Sequence, residues 1–146
     1  MNAGEIAKAW ALACCETLER RDIEAHMNLI SKQVKVFGLA DFEFVDYNFW
    51  LKQVQDQFAS DMVTSLRYYL SAVKVDSETQ ISFTAIEYLT DKEGQEHENP
   101  LLVVLSKEAD GIWRAIEEKI LDKEEASAAG LTQLHEERAK GASQLH

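Results

Sequence analysis

Residues able to do acid–base or nucleophilic chemistry fall in four places along this chain. "GIWRAIEEKIL" (111–121) carries the adjacent acids Glu117 and Glu118, and "QISFTAIEYLT" (80–90) carries Glu87 among apolar neighbours. "ADFEFVD" (40–46) holds Asp41 and Asp46, while His26 and the adjacent thiols Cys14 and Cys15 fall near the N-terminus. A carboxyl group among apolar side chains has its charged form disfavoured and its pKa raised. That is the condition for a useful acid or base near neutral pH.

Period-two alternation sorts the strand acids. Ile112, Arg114, Ile116, Glu118 and Ile120 share one face, and Trp113, Ala115, Glu117 and Lys119 the other. Glu118 is therefore the acid beside apolar residues. Likewise Ile81, Phe83, Ala85, Glu87 and Leu89 share a face. The plainer reading, which leads, leaves both acids solvated at strand ends or paired with Arg67, Arg114 or Lys119. Asp46 also reads as a helix N-cap, and Asp41 as a solvated loop acid. His26 lies on an apolar stripe with Ile23, Met27 and Ile30 and reads first as a structural histidine. The two cysteines are adjacent, which strains a mutual disulfide. They read as small buried residues with no positive charge nearby to favour a thiolate.

The aromatic residues Trp10, Tyr47, Trp50, Tyr69 and Tyr88, with Cys14, are candidates to line a pocket for a flat apolar ligand, and Tyr68 is a further aromatic of the same kind. Each reads equally as core. A tyrosine hydroxyl would be the orienting donor for a carbonyl-bearing ligand. Ser/His/Asp order, Cys/His metal spacing and a Gly-rich phosphate loop are all missing, so neither a metal nor a cofactor is predicted.

Helices must position these groups first. Residues 4–20 place Ile6, Trp10 and Cys14 on one apolar face. Asp22 caps a second short helix running to Ile30 and closed by Ser31. "QVKVFGL" is a short strand, and Asp46 caps a third helix with Tyr47, Trp50, Leu51, Val54 and Phe58 on its buried side. From Leu66 the period becomes two: "LRYYLSAVKV", "QISFTAIEYLT", "NPLLVVLSK" and "GIWRAIEEKIL" are strands joined by turn-like "DSET", "DKEGQEHE" and "EADG". In the first of these, Leu66, Tyr68 and Leu70 face one way and Tyr69, Val73 and Val75 the other. Two apolar faces predict a homodimer through the sheet. Residues 1–121 form the domain, and 122–146 read as a polar tail, either partly helical, with a turn or two around Thr132 to Lys140, or disordered in solution or docked on a partner subunit.

The 146 residues suit one domain with a substantial core. Their net charge of −11 argues against nucleic-acid and anionic-membrane partners. No apolar run approaches the roughly 18 residues of a membrane span. The start lacks a secretory pattern, so a reducing cytoplasm is expected.

Helices followed by a meander of strands make an α+β fold, a cystatin-like cone of three N-terminal helices packed on a curved antiparallel sheet. Element order over about residues 4–121, "VKVFGLADFEFVDYNFW" and the closing "DGIWRAIEEKI" resemble the nuclear transport factor 2-like superfamily. That superfamily includes ketosteroid isomerase-like, scytalone dehydratase-like and polyketide-cyclase-like (SnoaL-like) members. The resemblance implies a pocket at the open end of the cone, between the first and third helices and the sheet. It also implies a general-base Asp between the first strand and third helix, where only Asp41 and Asp46 stand and the usual local setting is absent. Dehydratase-like members use a His with an Asp, a part only His26 is placed to play. Because this fold hosts many activities, the expectation is an uncharacterised dimeric binder of a small apolar molecule. The alternatives are an isomerase-, dehydratase- or cyclase-type enzyme with Asp41, Glu87 or Glu118 as base, or a dimerisation module with no ligand.

Overall fold

Each helix begins at the polar residue that satisfies its free N–H groups. In the computed structural model, which describes residues 1–131, α1 (Ala3–Glu19) is capped by Asn2 and α2 (Ile23–Met27) by Asp22. The chain then forms β1 (Ile30–Phe37) and α3 (Tyr47–Ser60), where Asp46 Oδ1 accepts from the Phe49 N–H at 3.0 Å. The strands β2 (Val63–Ser77), β3 (Gln80–Asp91), β4 (Glu96–Lys107) and β5 (Trp113–Ile120) follow, and α4 (Lys123–Ala128) comes last.

The second helix is shorter than its apolar stripe predicts. Ile30 and Ser31 open β1 instead, because Ile30 pairs with Ala115 of β5 and the Ala115 N–H donates to Leu29 O at 3.0 Å. The strands form one curved, unclosed sheet in the order β1-β5-β4-β3-β2. Its meander is antiparallel as expected, but β1 joins β5 in parallel, so the sheet is mixed. Helices α1 to α3 cover the concave face. There Trp10 packs against Phe83 and Tyr68, and its indole N–H donates to Leu29 O at 3.0 Å.

Two bulges change which side chains face the helices. In β2, Ser71 and Ala72 oppose Thr84 alone, between the pairs Leu70↔Ala85 and Val73↔Phe83. Val73 and Val75 therefore share the face of Phe83 and Ile81, and strict alternation, which grouped them with Tyr69, fails at this point. In β5, Ile116 is the extra residue between Val104↔Glu117 and Leu105↔Ala115. Alternation set Ala115 and Glu118 on opposite faces; the bulge brings both, with Trp113 and Ile120, to the concave side.

The convex face is partly covered by the chain itself. Leu131 and Ala126 close over Ile86 and Tyr88, with Lys119 Nζ paired to the Glu125 carboxylate. A fourth helix follows Leu121, within the segment read as a polar, partly helical or disordered tail; the helical turns predicted around Thr132 to Lys140 lie outside the described residues. Among the described residues, no helix is long and apolar enough to cross a membrane.

Candidate functional site

The β3 and β5 acids come together across β4. Glu87 is opposite Asn99, and Glu118 is opposite Val103, both on the concave face. They border a cavity of about 190 Å³ that lies between the sheet, α1 and α3. Cys14 and Leu18 of α1 line one side, and Phe49, Trp50 and Val54 of α3 another. Leu66 and Tyr68 come from β2, and His26 from α2. The β1–α3 loop closes the remaining edge with Leu39 and Val45.

The two acids have unlike surroundings. Glu87 accepts from the Tyr68 hydroxyl at 3.0 Å and from the Asn99 side-chain amide at 3.2 Å. Burial raises the Glu87 pKa, and these two donors pull it back. Glu118 is 7% exposed, and its Oε2 has no hydrogen-bond partner among the described residues. Burial, then the neighbouring Glu87 charge, hold its carboxyl well above the usual carboxylate range. Of the two, Glu118 is the acid that holds its proton more strongly. Among the described residues neither acid is paired with a base: Arg67 meets Glu96, Arg114 meets Glu108 and Asp110, and Lys119 meets Glu125.

His26 is neutral, its pKa lowered to about 4 mainly by burial. Its Nδ1 lies 2.8 Å from Thr17 Oγ1. That hydroxyl is also 2.8 Å from Ala13 O, the geometry of a helical Thr donating to the carbonyl four residues back. Thr17 therefore accepts from Nδ1–H, and Nε2 is left as an acceptor. Burial raises the Cys14 thiol well above its ordinary value and Cys15 to about 11, so neither is a thiolate nucleophile.

Of the aromatic candidates, Trp50 and Tyr68 line this cavity, along with Cys14. Trp10 is taken up by the core. Tyr47, at the first turn of α3, faces an outer groove with Lys32 and Asn48. Tyr69 pairs with Ile86 and points to the convex face, and Tyr88 is buried there beneath α4. Asp41 sits exposed at the tip of a loop closed by the Val36–Val45 bridge, with φ +70°, away from the cavity. Asp46 is the α3 cap. A larger groove of about 890 Å³ beside α2 includes Arg114, but that guanidinium is already occupied by Asn28, Glu108 and Asp110.

Sequence reasoning missed Asn99, Leu18, Gln53 and Gln57 at this site. Asn99 had a usable signal: Gly94, with φ +82°, marks the β3–β4 turn, and a turn placed there pairs Glu87 with Asn99. Among the described residues, no group of three His, Cys, Asp or Glu side chains is placed to hold a metal ion.

No family model and no curated protein matches the chain. Solved structures do. A nuclear transport factor 2-like protein of unknown function from Shewanella oneidensis superposes with a TM-score of 0.69 at 13% identity, over 82% of this chain and 98% of that one. A ketosteroid isomerase-like protein from Erwinia carotovora atroseptica gives 0.58 at 18% identity, over 79% and 92%. A conserved protein from Planctomyces limnophilus gives 0.63 at 10% identity, over 80% and 92%. The chain has the nuclear transport factor 2-like fold.

Proposed function

We propose that the protein binds a small, largely apolar molecule in the cavity between α1, α3 and the sheet. The observation that carries this reading is a buried carboxyl oxygen, Glu118 Oε2, left without a partner among the described residues on the wall of a largely apolar cavity. A buried polar atom costs about 1–3 kcal/mol when unsatisfied, and a ligand with one complementary group would recover it. Because an engineered cavity near 150 Å³ accepts benzene, this one suits a single ring or a short branched chain.

A second reading is an acid–base enzyme of the isomerase or dehydratase type. The unequal hydrogen bonding of the two acids favours it: Glu87, held by Tyr68 and Asn99, would take a proton, and Glu118 would hold or return one. The Tyr68 hydroxyl already donates to Glu87, so it orients the base and is not a free donor to substrate.

The same proposal includes a homodimer through the convex face. Tyr69, 38% exposed, and the half-buried Leu102 and Val104 offer it apolar area beyond the part that α4 covers. Native mass spectrometry of protein purified gently from its own host tests both points. The expected species is a dimer carrying, per chain, an added mass of about 100–200 Da, the size of a single-ring compound. A bare chain mass that no single-ring compound added in solution increases would sink the ligand reading, and a monomer would sink the dimer.

A further inference from the structure

The polar atoms bordering the cavity are mostly acceptors. Glu118 Oε2 has no partner among the described residues, Glu87 is an acceptor for Tyr68 and Asn99, and His26 is on the same wall. The donors are few. The Tyr68 hydroxyl is committed to Glu87, and among the described residues the cavity wall includes no lysine or arginine. Gln53 and Gln57 of α3 supply amides that donate and accept equally. Trp50 and Phe49 add aromatic surface on the same side.

We infer that the cavity's ligand is a small organic amine bound as its ammonium ion, with its hydrocarbon part against Leu66 and Trp50 and its charged head toward Glu118 and Glu87. This rests on the cavity being a ligand site. An ammonium group has three donors and no acceptor, so it suits a wall richer in acceptors than donors. Its charge offsets the repulsion between two acids on one wall that has no lysine or arginine among the described residues. Aromatic faces attract cations as well. A ketone or other carbonyl compound would meet the same wall with an acceptor and find its donors in the Glu118 proton and the Gln53 and Gln57 amides, with no charge to offset the acids.

The groups that bear on the acid pair come from every side. They are Cys14 and Cys15 on α1, His26 on α2, Tyr68 on β2, and Glu87 and Glu118 on β3 and β5; α3 and β1 contribute no ionisable side chain to the wall. All of these except the acids are neutral at pH 7, since burial raises both thiols and the phenol and lowers the imidazole. Ammonium binding therefore pulls the proton off the acid pair and releases it to the buffer.

The experiment is calorimetric titration of the purified full chain with benzylamine, benzyl alcohol and cyclohexanone at pH 6 and 8, each in two buffers of different ionisation enthalpy. Benzylamine is expected to bind at least tenfold tighter than benzyl alcohol, more tightly at pH 8 than at pH 6, with release of up to one proton. Glu118→Gln should lower benzylamine affinity about tenfold and leave benzyl alcohol within twofold. Equal or tighter binding of alcohol or ketone, or amine binding with no proton release, overturns the amine inference while the cavity reading stands. Absence of binding by all three overturns both. The proton count is read on the unaltered protein, so it holds even if the variant folds poorly.

Discussion

The buried acids and the buried histidine impose opposite pH dependences on stability. Glu87 and Glu118 have folded pKa values raised above those of the unfolded chain, so the folded state holds protons that the unfolded state has lost. Their contribution is fully present below the unfolded carboxylate range and declines as pH rises through the folded values. His26 is lowered to about 4, so its contribution is present above about 6.5 and is lost as pH falls through 4. Each group changes stability by up to about 1.4 kcal/mol per pH unit inside its window. Denaturant melts of the native chain from pH 4 to 9 are expected to show a maximum between the two limbs. Glu118→Gln should flatten the alkaline limb, and His26→Gln the acid limb. An unchanged alkaline slope in Glu118→Gln would show that Glu118 is ionised in the fold.

Among the elements, the β1–α3 loop is the least tolerant of change. Gly38 leaves β1 with φ +90°, and a Cβ there would lie 2.2 Å from the carbonyl oxygen of Ile120, a residue of the cavity wall. Gly94 has a similar φ of +82° but open space around it. Both Gly→Ala changes pay about 1–2 kcal/mol for the left-handed backbone. Only Gly38→Ala adds a clash, worth about 1–3 kcal/mol more. Thermal melts of the two variants side by side isolate that clash, and equal losses would show that β5 yields to it. The two bulges act at the same scale. Ile116 supplies the extra residue that turns Glu118 inward beside Ala115, and Ser71 with Ala72 does the same for Val73 and Val75.

At the scale of the whole molecule, the chain covers part of each face of its own sheet. Helices α1 to α3 take the concave side, and the segment reaching Leu131 takes the Ile86–Tyr88 end of the convex side. Leu131 is 1% exposed, so Leu131→Ala is expected to cost about 2–5 kcal/mol. A chemical-denaturation midpoint within error of the native one would mean that this end of the sheet is covered in solution by something else. The convex area left around Tyr69, Leu102 and Val104 is what a second copy would meet, and the net charge of −11 sets a repulsion that such an interface must overcome.

The amino-acid sequence by itself determined the elements. Helix caps at Asp22 and Asp46, the change of period after Leu66 and the turn compositions depend on neighbours a few residues apart, and those interactions are local. It also placed Glu87 on an apolar face, since β3 alternates without interruption from Ile81 to Ala85. Tertiary structure decided the rest. A bulge is invisible without the partner strand, so the face shared by Ala115 and Glu118 emerged only from the β4–β5 register. The plainer reading of Glu87 and Glu118, as solvated or arginine-paired acids, yields for a similar reason. Arg67, Arg114 and Lys119 find other carboxylates nearer in space, and the two acids meet across β4 from positions 31 residues apart in sequence numbering (87 and 118). Tyr69, Tyr88, Tyr47 and Asp41 could not be sorted from cavity residues such as Trp50, because aromatic and acidic character is the same on either face of a sheet. Only long-range pairing says which side is enclosed.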